Sequence, residues 1–342
     1  MDGTFSKLRF SEFAKAAAAG AIVGATALVP ISAEAATGSV TIHAGNATWF
    51  VNTNITFSTT SSGFGVSSAT LQTVSGARDD AFDGGLSWHV NASPPGTLSN
   101  GGYVSPGGTA SVTTNSVLGT VQSLAGLNVQ GQLYFTSPKA VVRSILTLQN
   151  PTGAPITVTV DNDNNLGSDA NTRLTATSSG DAVYDTTDNW IISCQSSISP
   201  PACDGIGSGD DPVLTYAVQG PGSAVRGTRL GGFVNGDDNP NMRFTVTVPA
   251  GATRALMYFV QLSDTPDHAL IDAVTFNTAG ALQSAGYLAN LPGIQEAQIV
   301  NWSLNADIPT LSEWAFGGFA TLLGLLGLGS LGLFARRRPA QS

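Results

Sequence analysis

The chain has 342 residues, with 14 Lys and Arg against 23 Asp and Glu and a formal net charge of −9. This acidic balance argues against a nucleic-acid partner, because binding to phosphates needs a basic surface. Charged residues make up 11% and hydrophobic residues 42% of the sequence, which argues against a wholly disordered chain.

The N-terminal segment 1–35 has the pattern of a secretory signal peptide. Basic residues such as Lys7 and Arg9 precede a short apolar run over 16–29, and an A-x-A cleavage pattern follows at 33–35. The run is too short to be a good membrane-spanning helix, and the alternative is a buried Ala-rich helix of a cytosolic protein. The pattern predicts passage through a Sec-type translocon and removal by signal peptidase.

The central region 36–307 has the composition of a β protein. It holds 8 Lys and Arg against 19 Asp and Glu, a formal charge of 8 − 19 = −11, and it is rich in Thr, Val, Gly and Asn. In Thr48–Ser58, apolar and polar residues alternate with a period of two. We predict an antiparallel β-sandwich with short C-terminal helices; the alternative is a right-handed β-helix, for which no fixed-period repeat is found.

Later strands follow from the same pattern. Val141–Leu148, Ile156–Val160 and Phe244–Val248 are strand-like runs separated by turn residues. Leu256–Leu262 is apolar on both faces, which predicts a central strand.

After residue 262, the spacing of the apolar residues changes to the one typical of helices. Thr265 is a predicted N-cap, followed by Pro266 at the first helical position. We expect short helices over His268–Phe276 and Ala281–Leu291. The side chains expected to pack into the core are Leu270, Val274, Leu282 and Leu288.

Cys194 and Cys203 are the only cysteines. In an exported chain an even number of cysteines favours a disulfide, here closing a short loop. Two cysteines provide too few ligands for zinc. The two cysteines therefore predict a disulfide that stabilises one local loop.

A run of polar side chains after the strand at 156–160 is a candidate calcium site. Asp161, Asp163 and Asn165 alternate, and Asp169 follows, so hard oxygen ligands recur at suitable spacing. The usual glycine comes one place late, and a threonine stands where the bidentate glutamate would fall. The alternative interpretation is an Asx-rich turn. No other cofactor is predicted.

Other Asp pairs lie in Gly-rich loops. They are Asp79-Asp80 with Asp83, Asp210-Asp211 and Asp237-Asp238. We interpret each as a solvated turn.

Catalytic motifs are scarce. His43, His89 and His268 are the only histidines, and no G-x-S-x-G nucleophile motif stands near them. Each is interpreted as a strand or cap residue. No nucleotide fingerprint or His/Cys metal cluster is present, so the sequence predicts a protein that is not an enzyme.

The C-terminal segment 308–338 predicts membrane insertion. Trp314–Ala335 is uncharged and apolar, long enough to cross a bilayer, and Arg336-Arg337-Arg338 follows at once. The alternative is a hydrophobic core helix. The arginines would hold that end in the cytoplasm, so we expect a precursor anchored in the inner membrane.

The residues just before this helix are Ile308, Pro309, Thr310, Leu311, Ser312, Glu313 and Trp314. These seven residues, here called the signature, resemble the IPTL-CTERM sorting tails of Gram-negative bacteria when taken together with the apolar helix and the arginine cluster. The resemblance implies processing near the signature by an exosortase-like transpeptidase, with delivery to the cell surface or the medium. Pro309 favours extended backbone, which a protease cleft binds by strand addition. The alternative is a simple spacer before an anchor.

Segments between Val141 and Leu304 are similar to recurring domains of large bacterial cell-surface proteins. Examples are the runs at 141–150, 165–169 and 254–262. We therefore predict a surface protein with a structural or adhesive role. The alternative is a protein that binds or processes carbohydrate, with aromatic residues such as Trp88, Tyr103 or Trp190 stacking on sugar rings.

Overall fold

Alternating apolar residues dictate a protein made mostly of antiparallel strands. The computed structural model describes residues 34–55, 63–92, 101–104, 108–137, 139–196, 203, 211–229, 233, 235–294 and 296–304. The strands, in chain order, are β1 (Glu34–Thr37), β2 (Ser39–Ala44), β3 (Ala47–Ile55), β4 (Gly63–Thr73), β5 (Gly76–Arg78), β6 (Ser87–Val90), β7 (Thr109–Val112), β8 (Ser116–Gly119), β9 (Gln122–Leu124), β10 (Leu127–Thr136), β11 (Val141–Gln149), β12 (Ile156–Asp163), β13 (Thr172–Thr177), β14 (Trp190–Gln195), β15 (Val213–Ala217), β16 (Thr228–Arg229), β17 (Met242–Val248) and β18 (Thr253–Ser263).

Within the described residues the strands form three antiparallel sheets. The largest has ten strands in the order β1-β7-β8-β10-β11-β18-β15-β14-β13, with β9 beside β10. The other two have four strands each, in the orders β16-β17-β12-β6 and β2-β3-β4-β5. The predicted mostly β class is confirmed, and the stacked sheets are consistent with a sandwich.

β18 shows how the large sheet is buried on both faces. Leu256, Tyr258 and Val260 belong to the core shared with the two smaller sheets. Met257 and Phe259 point to the opposite face and pack under the C-terminal helices. β18 lies between β11 and β15, so the prediction of a central strand is confirmed.

The helices cover the second face of the large sheet. They are α1 (Pro266–Ala273) and α2 (Ala279–Ser284), with 3-10 turns at Val274–Asn277, Glu296–Gln298 and, elsewhere, Asp169–Asn171. The predicted cap is confirmed, because the Thr265 hydroxyl accepts a hydrogen bond from the amide of His268 at 3.2 Å. α2 is shorter than predicted and begins earlier, after a second cap at Thr278.

The buried side of α1 differs from the prediction. Leu270 and Val274 are 49% and 59% exposed, whereas Ala269 and Ala273 are fully buried. Because residues four apart share a helix face, the two alanines allow α1 to lie close against the sheet. Leu282 and Leu288 are buried as expected.

Cys194 and Cys203 form the predicted disulfide. The described β-rich residues belong to one compact unit, Ala33–Ser342. Glu34 and Ala35, assigned from the sequence to the signal peptide, form half of β1 and pair with β7.

The membrane-related predictions fall mostly outside the described residues. These are the rest of the signal segment 1–33, the signature Ile308–Trp314, the apolar run Trp314–Ala335 and the cluster Arg336–Arg338. Where the structure describes the chain, none of its helices has the length and apolar character needed to cross a membrane.

Candidate functional site

Two of the predicted calcium ligands are occupied by contacts with other parts of the protein. Asp161 is fully buried on β12, and its two carboxylate oxygens accept hydrogen bonds from Arg243 Nε and Nη2, each at 2.6 Å. Asp163 is also buried; it accepts from Asn241 at 3.2 Å and lies 3.6 Å from His89 Nε2. Burial raises the pKa of Asp163, and the contact with His89 opposes that rise.

The other two predicted ligands lie beyond the end of β12. Asn165 Oδ1 accepts from the Gly167 amide at 3.3 Å, as in an Asx turn, and Asp169 begins an exposed 3-10 turn. Among the described residues, no three acidic, His or Cys side chains are grouped so as to hold a metal ion. Calcium at these four residues stays a prediction.

The aromatic side chains considered as sugar platforms are in the core. Trp88, Tyr103 and Trp190 are 1%, 0% and 6% exposed. Their polar atoms are satisfied internally: Trp88 Nε1 donates to Ser144 at 2.8 Å, and Trp190 Nε1 donates to Asn277 at 2.9 Å. None of the three can stack on a ligand at the surface.

The candidate site is a groove of about 650 Å³ beside α1, here called the α1 groove. Four segments build it: the β2–β3 turn, the end of β4, the β10–β11 turn, and the end of β18 with α1. Its lining residues are Gly45, Asn46, Leu71, Gln72, Thr73, Val74, Ser137, Lys139, Ala140, Gln261, Leu262, Ser263, Asp264, His268, Ile271 and Asp272.

One wall of the α1 groove carries a charged network. Lys139 Nζ donates to both oxygens of Asp272, at 3.0 and 2.8 Å. Gln261 Nε2 donates to the same carboxylate at 2.7 Å. The Gln261 side chain is buried, and its Oε1 accepts no hydrogen bond from the described residues. Because that oxygen is inaccessible to solvent, what the wall offers to the groove is the charged Lys139–Asp272 pair.

A histidine–carboxylate pair lines the same groove. His268 Nδ1 and Asp264 Oδ1 are 2.6 Å apart, and the His268 side chain is 62% exposed. Burial raises the pKa of Asp264, but the hydrogen bond and charge of His268 outweigh it, and the net shift is downward. An ionised Asp264 favours the proton on Nδ1, so Nε2 of a neutral ring carries the lone pair. This is the arrangement of a general base.

The sequence contains a signal for this pair that motif reasoning missed. Asp264, His268 and Asp272 recur at intervals of four, which places them along one side of α1 and its cap. His268 was interpreted as a cap residue, and its amide does serve the cap, but its imidazole lines the groove. Lys139 comes from the β10–β11 turn, far from α1 in sequence, and Gln261 from the end of β18, so the spacing along α1 could not reveal either contact.

Comparison with known proteins gives distant structural neighbours only. No known family model matches the chain, and no curated protein matches it significantly. The chain is similar to a galactose mutarotase-like protein from Lactobacillus casei, at 10% identity over 66% of this chain and 100% of that one, with a TM-score of 0.39. A galactose mutarotase related enzyme from Lactobacillus acidophilus is 9% identical over 67% of this chain and 98% of that one, with a TM-score of 0.34. A polysaccharide lyase is 12% identical over 66% of this chain and 34% of that one, with a TM-score of 0.35.

These neighbours contradict the prediction that the protein is not an enzyme, because two of them are described as carbohydrate-processing enzymes. That prediction rested on missing sequence motifs, and a groove assembled from separate segments leaves no such motif. At these TM-scores the neighbours carry no argument for a substrate or a mechanism here. The functional argument therefore rests on the α1 groove.

Proposed function

We propose that this is an exported protein that binds or processes a carbohydrate in the α1 groove. The observation that carries the proposal is the Lys139–Asp272 pair on the groove wall, whose side chains are 54% and 18% exposed. Each sugar hydroxyl is both a donor and an acceptor, so a saccharide needs acceptors and donors side by side. Asp272 and Lys139 supply an acceptor and a donor side by side in one wall.

The rest of the groove fits the same ligand class. Ile271 is 66% exposed and Val74 is fully exposed, and both line the groove, so apolar surface is available to the C–H face of a sugar ring. The volume of about 650 Å³ lies within the range of small-molecule sites. Because the region 36–307 carries a formal charge of 8 − 19 = −11, we expect a neutral saccharide to be favoured over a polyanionic one.

A processing step would use the His268–Asp264 pair. With Nδ1 held by Asp264, His268 Nε2 can take a proton from a bound hydroxyl or carbon acid and return it. This chemistry needs no cofactor. It supports a proton-transfer reaction on the sugar, with Lys139 and Asp272 as binding residues.

Binding and turnover by groove variants test the proposal. Against a panel of neutral and uronic-acid glycans, we expect Lys139→Met to weaken binding of the recognised glycan by at least about tenfold, because a charged donor is lost. His268→Gln should leave affinity within about threefold and slow turnover by about 10²–10⁴. Calorimetry and product analysis on the purified protein give both quantities.

The matched control is His43→Gln. His43 is exposed on β2, where it contacts Thr48 at 3.1 Å, and it does not line the groove. It should bind and turn over as wild type does. A panel with no ligand at all, or unchanged affinity in Lys139→Met, would show that the α1 groove is not a carbohydrate site.

Export and sorting are a second part of the proposal. The basic-apolar start, the Cys194–Cys203 disulfide and the resemblance at 308–338 support it. We expect mature protein from the native host to end in or near Ile308–Leu311 and to lack Arg336–Arg338. Mass spectrometry of the C-terminal peptide checks this; a mature chain that keeps the three arginines would mean permanent anchoring without processing.

A further inference from the structure

Among the described residues, a single aromatic side chain is exposed. Phe50 on β3 is 39% exposed, whereas every other aromatic side chain in that part of the chain is at most 8% exposed. Burial is the usual fate of a phenyl ring, because it removes a large apolar area from water. The flanking residues Trp49 and Val51 point inward and are fully buried, so Phe50 lies on the outer face of the sheet β2-β3-β4-β5.

The strand register surrounds Phe50 with hydroxyl side chains. Phe50 lies directly opposite Thr41 on β2 and Ser68 on β4. Thr48 precedes Phe50 on the same face and lies opposite Thr70 on β4. Side chains directly opposite each other in a sheet are close neighbours, so the ring has hydroxyl groups on both sides and along its own strand.

The same face leads to the α1 groove. Gln72 follows Thr70 on this face of β4, is exposed, and lines the groove. Asn46 of the β2–β3 turn also lines the groove, and its Nδ2 donates to the Gln72 carbonyl at 2.9 Å. From Gln72 to Ser68 the strand rises roughly 14 Å. The surface formed by the following residues is called the Phe50 path: Gln72, Thr70, Thr48, Ser68 and Phe50.

The Phe50 path is uncharged and has a definite end. None of its side chains carries a charge, in a chain whose formal net charge is −9. Asn52, the next residue after Phe50 on this face, is 3% exposed, so the open surface stops at the ring. His43 on β2 lies beside the path, where its Nδ1 is 3.1 Å from Thr48 Oγ1. A neutral ligand fits this surface better than a polyanion, which the acidic chain would repel.

We propose that the ligand of the α1 groove is an extended neutral polysaccharide, and that the Phe50 path binds the part of that chain which continues out of the groove. This inference rests on the proposed function of the groove. The Phe50 ring would stack on the C–H face of one sugar, and the Thr and Ser hydroxyls would exchange hydrogen bonds with sugar hydroxyls. A saccharide in the groove must be longer than a disaccharide to reach the ring, so the path selects polymers over short sugars.

Titration calorimetry of the purified protein with short and long sugars tests the proposal. The probes are cellobiose and cellohexaose, maltose and maltohexaose, and xylobiose and xylohexaose. In the series that binds, the hexasaccharide should bind about tenfold more tightly than the disaccharide, because only the longer sugar reaches the ring. Phe50→Leu keeps an apolar side chain but removes the ring. It should weaken hexasaccharide binding about fivefold and leave disaccharide binding unchanged.

Control variants separate this inference from the proposed function. Phe50→Tyr keeps the ring and should bind as wild type does. Val183→Ala shortens another exposed apolar side chain, 54% exposed on the β13–β14 connection, and should also change nothing. Equal affinity for both lengths, or unchanged hexasaccharide binding in Phe50→Leu, would overturn the Phe50 path alone if Lys139→Met still weakens binding of both sugars. If none of the three series binds, or Lys139→Met alters neither affinity, the groove proposal fails and the Phe50 path fails with it.

Discussion

Arg243→Met should lower the free energy of unfolding by about 3–5 kcal/mol. Arg243 on β17 lies directly opposite Asp161 on β12 in the strand register, and two hydrogen bonds of 2.6 Å join the pair side by side. The Arg243 side chain is 15% exposed and that of Asp161 is 0% exposed. Removing the guanidinium leaves a fully buried carboxylate with no counter-charge. This destabilises a protein more than replacing both partners of the pair by apolar residues.

Urea unfolding of three variants measures this effect. Arg254→Met is the matched control, because Arg254 is also a strand arginine but has no ion pair among the described residues; its loss should stay below about 1 kcal/mol. The double variant Asp161→Leu with Arg243→Met should recover much of the stability, since no unpaired charge remains. A loss of less than 1 kcal/mol in Arg243→Met alone would mean that Asp161 has another partner.

Trp88→Ala should also cost about 3–5 kcal/mol, because it opens a large cavity between the sheets. Trp88 is 1% exposed, its ring meets that of Tyr258 edge-on at 4.8 Å, and its Nε1 donates to Ser144 at 2.8 Å. Trp88→Phe keeps an aromatic ring and loses mainly the hydrogen bond, so it should cost about 1–2 kcal/mol. Denaturant unfolding of both variants provides the comparison.

Glycan binding by the same variants shows whether Trp88 acts as a core residue or contacts the ligand. Glycan affinity per folded molecule should be unchanged in Trp88→Phe, because the side chain lies in the core and not in the α1 groove. If Trp88→Ala were as stable as wild type while glycan binding disappeared, Trp88 would have to contact the ligand, and its burial in the core would be wrong.

Local patterns were sufficient for the strands with a consistent apolar face. The runs at 141–148, 156–160 and 244–248 became β11, β12 and β17, and the doubly apolar run became the central β18. Thr265 capped its helix as predicted. These features depend on neighbours within a few residues, and such information is present in the sequence.

The environment of single polar residues was not predictable in this way. Asp161 and Asp163 looked like ligands in a loop, but β12 extends to Asp163 and buries both. Leu270 looked like a core residue, but the face of α1 that meets the sheet carries alanines. In each case the outcome depended on a partner far away in sequence, such as Arg243.

The amino-acid sequence by itself determined the β class, the helix cap, the disulfide and the acidic character of this protein, because each follows from composition or from short-range spacing. Only the tertiary structure decided which charged groups meet. The α1 groove joins residues from four segments of the chain, and long-range strand pairing brings those segments together.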